Sequence, residues 1–135
     1  MNFAAANIGI LAPEFIVALG AMALMMIGVF KGERSQRLLS CLAIAIFVAA
    51  GVTAMFGHGR ATAFNGAIIA DDFARFVKLM VLGGAVLVLI MAKGFMARAR
   101  IDRFEFPILV TFSVLGMMLM ASAGDFITLY LSLEL

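Results

Sequence analysis

Cysteine and histidine are almost missing from this sequence: among its 135 residues, Cys41 and His58 are the only one of each kind. One cysteine cannot close an internal disulfide, and together the two cannot ligate an iron–sulfur cluster or fill a four-coordinate zinc site. Cys41 lies inside an apolar run and reads as a small buried hydrophobe, whereas His58 sits in Gly-His-Gly and reads as a solvated loop residue. Charge is scarce as well. Charged residues make up 13% of the chain and hydrophobic ones 65%. Soluble domains run near half apolar and about a quarter charged, so one globular core cannot hide this much apolar surface. Lipid must be the solvent for most of the chain. No Lys or Arg precedes Lys31, so the first apolar run lacks the positive start of a cleavable signal peptide and reads as a retained spanning helix. A Gly-rich phosphate loop, a nucleophile–base pair and a His/Cys cluster are all missing, and Gly83-Gly84 is an isolated pair. The few basic residues fall between apolar runs, which is the pattern of membrane orientation and not of nucleic-acid binding.

What is present is a series of long apolar stretches. The spacing predicts helices near residues 8–30, 38–57, 73–93 and 106–123, and the start of a fifth at 125–135. The expected fold class is all-α, a multi-spanning transmembrane helix bundle in a single domain. Pro13 and Pro107 fall where a first helical turn tolerates proline. Asp71-Asp72 should open the third helix, since carboxylates favour a helix N-terminus, and Asp71 and Arg75 have the spacing of a helix ion pair. Arg75 and Lys78 can snorkel back to the head-group level. Asn65-Gly66 is a turn signal in the second joint. Ala45, Ala49 and Thr53, spaced by four, would let helices approach closely, and Met117, Met118 and Met120 read as gap-fillers or lipid-facing bulk. The chain stops soon after its fifth apolar run begins, so it reads as a fragment.

Basic residues alternate between joints. The first and third joints hold Lys31, Arg34, Arg37, Lys93, Arg98, Arg100 and Arg103, while the second and fourth hold only Arg60. By the positive-inside rule the N-terminus is expected outside the cell membrane and the basic joints in the cytoplasm.

Glu134 is the leading candidate for chemistry. It lies nine residues after Asp125 (134 − 125), a depth of about 13 Å at roughly 1.5 Å per residue, near the middle of a core of ~30 Å. A carboxylate there costs ~2.5–3.5 kcal/mol in lipid, so it is expected to face protein and to serve a proton relay or ion path. The alternative is a neutral glutamic acid that only holds helices together. Tyr130, one turn back, could hydrogen-bond it, and no basic residue before it is expected at the same depth. Glu14, near the outer end of the first run, reads as a helix-entry residue that can reach the interface. Asp71, Asp72 and Asp125 read as helix caps.

The segment Ala123-Gly-Asp-Phe-Ile-Thr-Leu-Tyr-Leu-Ser-Leu-Glu-Leu135 resembles the junction between the fourth and fifth helices of the antiporter-like subunits of respiratory complex I. Leu11-Ala-Pro-Glu-Phe15, Phe64-Asn-Gly66, Asp71-Asp-Phe-Ala-Arg-Phe76 and Phe104-Glu-Phe-Pro107 are similar, within that group, to the subunit N family of bacterial NADH-quinone oxidoreductase. The resemblance covers all 135 residues, in order. It implies an N-terminal fragment of a membrane-arm subunit in the cell inner membrane, taking part in proton translocation coupled to quinone reduction. It implies that Glu134 is the helix-five glutamate that pairs with a lysine on a later helix. It also implies lipid and the other membrane-arm subunits as partners, no nucleic acid, and no cofactor in this chain. Flavin, iron–sulfur clusters and the quinone site are expected in other subunits. A subunit of a multisubunit cation/proton antiporter, or a structural membrane protein without transport, are the alternatives.

Overall fold

The computed structural model describes residues 11–32, 36–56, 61–63, 68–100 and 105–135. Five helices and one small hairpin make up these segments: α1 (Ala12–Lys31), α2 (Gln36–Phe56), β1 (Ala61–Ala63), β2 (Ile68–Ala70), α3 (Asp72–Ala99), α4 (Glu105–Ala121) and α5 (Phe126–Glu134). The architecture is the expected all-α bundle of a multi-spanning membrane protein. Three helices, α1, α2 and α3, are long and apolar enough to cross a bilayer. The fourth has 17 residues, at the short end of what spans a hydrocarbon core. The sequence positions 8–10, Arg34, His58, Arg60, Phe64, Asn65, Gly66, Arg103 and Phe104, on which several expectations rest, lie outside the described residues.

Local chemistry sets the helix ends. Pro13 occupies the first turn of α1, where its missing N–H has no acceptor to lose. That helix closes at Gly32, whose φ of 66° and ψ of −156° belong to a region open essentially to glycine, and the Gly32 N–H donates to the Gly28 carbonyl. Asp71 caps α3: its Oδ1 accepts from the Ala74 N–H at 2.7 Å. Two details depart from the sequence reading. Arg75 pairs with Asp72 at 3.1 Å and not with Asp71, whose carboxylate is committed to the cap. Helix α3 also continues through the apparent third joint to Ala99 before Arg100, in the left-handed conformation, donates its N–H to the Met96 carbonyl. Its 28 residues measure about 42 Å at 1.5 Å each, longer than the bilayer core, so charged Lys93 and Arg98 fit on its last turns. Asp125 stands at the N-cap of α5 but makes no side-chain capping bond.

The first four helices run alternately up and down and form a ring. Helix α1 packs on α2 and α4, α3 packs on the same two, and α2 also touches α4 across the short diagonal. Helices α1 and α3 therefore face each other across the long diagonal. The core between them is apolar, with Val17 and Leu24 from α1, Leu39, Ala43, Phe47 and Ala50 from α2, Leu82, Ala85 and Leu89 from α3, and Val114, Leu115 and Met118 from α4. The buried stripe of α2 is thus Leu39, Ala43, Phe47, Ala50 and Ala54, at spacings of three and four, while Ala45 and Ala49 are exposed. The expected Ala45–Ala49–Thr53 stripe is not the packing face; Thr53 turns its hydroxyl back to the Ala50 carbonyl at 2.8 Å. The close approach is instead made by Gly20 of α1, where an added Cβ would stand 2.6 Å from Ile46 Cδ1.

The hairpin is a feature the sequence reading missed. Its strands pair antiparallel, Ala61 with Ala70 and Ala63 with Ile68. It is tied to the bundle where α4 ends: the Ile69 N–H donates to the Ser122 carbonyl at 2.8 Å, and Ile68 bridges to Ala123. Helix α5 lies against α4, and Gly116 admits it there: a Cβ would stand 3.0 Å from the Ser132 carbonyl oxygen.

Candidate functional site

Two sets of charged groups matter: Glu134 on α5, and a pair inside the bundle. Residues Phe126, Ile127, Tyr130, Leu131, Leu133 and Glu134 of α5 are all exposed, and Ser132 alone is buried. Glu134 thus lies on the side of α5 turned away from the four-helix ring. Tyr130 is exposed beside it, with no hydrogen bond to the carboxylate. The reason is the seating of α5: it touches α4 along one narrow line, so most of its circumference faces outward.

The pair was not anticipated. Glu14, in the first turn of α1, and Lys78, in the second turn of α3, form an ion pair across the long diagonal. Each residue retains only 4% of its exposure. Glu14 and Lys78 thus turn toward each other inside the bundle and not toward its surface. Each lies on the buried stripe of its helix, Glu14 three residues before Val17 and seven before Ala21, Lys78 four before Leu82. A stem on that stripe points inward, and the opposite charge there makes burial tolerable. Spacing alone could have hinted at this for Lys78, since Ala74, Lys78, Leu82, Ala85 and Leu89 share one face.

At the opposite end of the bundle, Lys93 Nζ of α3 donates to Cys41 Sγ of α2 at 3.1 Å, and Gln36 Nε2 donates to Met96 Sδ at 3.4 Å. Cys41 is exposed and not the buried hydrophobe that its apolar surroundings suggested. No group of three His, Cys, Asp or Glu side chains among the described residues could hold a metal ion.

Against known proteins, the chain is 50% identical over 123 residues to NADH-quinone oxidoreductase subunit N 1 of Rhizobium meliloti, covering 91% of this chain and 26% of that protein. It is 45% identical over 129 residues to subunit N of Azorhizobium caulinodans, covering 95% of this chain and 27% of the relative. The chain matches a fragment of subunit N. Subunit N of Paramagnetospirillum magneticum gives the same result, 47% over 124 residues, with 91% of this chain and 26% of the relative covered. The chain spans about a quarter of the length of these subunit N proteins. No protein-family model matches it.

Proposed function

We propose that this chain forms part of a membrane-arm subunit of the proton-translocating NADH:quinone oxidoreductase, and that Glu134 takes part in proton transfer coupled to quinone reduction. The likeness to subunit N over nearly the whole chain is the observation that carries this reading. The position of Glu134 supports it: a carboxylate on an apolar helix, turned away from the packed ring, needs a protein partner at membrane depth. That partner is a lysine on a helix outside the present 135 residues. Lys78 does not serve, because it is already paired with Glu14.

On this reading the protein sits in the cell inner membrane with its N-terminus on the periplasmic side and its basic joints in the cytoplasm. Its partners are the other membrane-arm subunits and the lipid around them. The flavin, the iron–sulfur clusters and the quinone belong to other subunits, and Glu134 contributes a proton-carrying group and no redox step.

Two substitutions in the full-length subunit, within the assembled complex, test the role of Glu134. Glu134→Gln keeps the shape but cannot titrate; Glu134→Asp keeps the charge with a shorter reach. Proton pumping should fall in the assembled Gln variant and be better retained in the Asp variant. Unchanged pumping in an assembled Gln variant would leave helix packing as the account of Glu134.

A further inference from the structure

Unsatisfied hydrogen-bonding capacity gathers at one end of the bundle. Apart from the ion pair, neither oxygen of Glu14 has a donor among the described residues, and the buried Ser122 hydroxyl has no partner either. Two other buried hydroxyls are satisfied by their own helices: Thr111 donates to the Pro107 carbonyl and Ser132 to the Thr128 carbonyl, both at 2.7 Å. Glu14 lies in the first turn of α1, and Ser122 directly follows α4, the antiparallel neighbour of α1. Both therefore belong to the end where α3 begins and brings in Lys78. The same end carries the hairpin, fastened through Ile69 and Ser122.

Glu14, Lys78 and Ser122 retain 4%, 4% and 1% of their exposure, so bulk solvent does not reach them. A carboxylate offers two oxygens with about four lone-pair sites, and an ammonium offers three N–H donors; a single contact between them leaves both largely unsatisfied. Buried groups in that state are ordinarily completed by internal water, which makes about three hydrogen bonds and needs at least two polar partners. We propose that this end of the bundle is an internal water-binding site, organised by the Glu14–Lys78 pair and Ser122. Water there donates to Glu14 Oε2 and accepts from Lys78 Nζ, filling hydrogen-bonding sites that the ion pair leaves open. This site is independent of Glu134 and of the role proposed for it.

Density from the full-length subunit in its native assembly, at a resolution that shows ordered water, tests the site directly. The expected result is at least one water within hydrogen-bond reach of Glu14 Oε2. A protein donor on that oxygen, or tight apolar packing with no water density, overturns the proposal. Infrared difference spectra between the native and Glu14→Gln complexes give a second measurement. Loss of an ionised-carboxylate band that shifts on exchange into heavy water is expected; loss of a protonated-carboxyl band overturns it. Ser122→Ala removes one water partner without touching the ion pair, so it should weaken the water density while the subunit still assembles. Full water occupancy in that variant excludes Ser122 from the site.

Discussion

Glu14 and Lys78 stand 64 positions apart (78 − 14) and meet as a buried ion pair between two helices that otherwise face each other across the bundle. The pair lies near one end of the ring, so it ties the first turn of α1 to the second turn of α3.

The asymmetry of buried ion pairs yields the first prediction. Removing one partner leaves an uncompensated buried charge and costs about 3–5 kcal/mol, whereas replacing both by apolar groups of similar size is close to neutral. Glu14→Leu or Lys78→Met alone should therefore lower the amount and thermal stability of the assembled full-length subunit, and the double variant should recover most of the loss. Additive losses in the double variant, measured by thermal unfolding, would show that the pair is not coupled.

Gly20 gives the second. An added Cβ would stand 2.6 Å from Ile46 Cδ1 and 2.8 Å from Ile46 Cγ2, too close unless the Ile46 side chain or the two helices shift. Gly20→Leu should destabilise by about 1–3 kcal/mol or more through overpacking. Gly20→Ala combined with Ile46→Ala should be milder than Gly20→Ala alone, because the offending branches are gone. Comparing unfolding temperatures of the three variants decides it.

The third separates the seating of α5 from the chemistry of Glu134. At Gly116 a Cβ meets backbone, the Ser132 carbonyl oxygen at 3.0 Å and the Leu135 carbonyl carbon at 3.3 Å, and backbone yields only if α5 moves. Gly116→Val should reduce stability and pumping together. Glu134→Gln should reduce pumping with stability preserved. Equal stability of the Gly116→Val variant, measured by unfolding, would mean that α5 is not held by this contact.

Orientation is the subject of the fourth. A cysteine introduced by Arg98→Cys, in a Cys41→Ala background, should resist a membrane-impermeant thiol reagent added to intact cells, and one introduced by Arg60→Cys should react. The reverse pattern would invert the topology argued from the basic joints.

Much of the fold was legible because the bilayer imposes a length. A span needs about 20 apolar residues, and the runs around α1, α2 and α3 could satisfy that in one way. Asp71 was readable as a cap for a similarly local reason: its partner is the Ala74 N–H three residues on. Helix ends set by tertiary packing were less legible, as the continuation of α3 past Lys93 shows.

Which side of each helix faces inward was not readable, because helices that are apolar all round carry no stripe to mark the inner face. Ala45 and Ala49 looked like a packing seam and lie outside it; Cys41 looked buried and is exposed. The sequence by itself determined a membrane bundle with a carboxylate on its fifth helix, since span length and charge spacing are local quantities. Only the tertiary structure decided that Glu14 and Lys78 meet in the interior while Glu134 lies off the four-helix ring. Those outcomes depend on how the helices rotate against one another, and that rotation is fixed by contacts such as Gly20 on Ile46 and Gly116 on α5, between residues far apart in the chain.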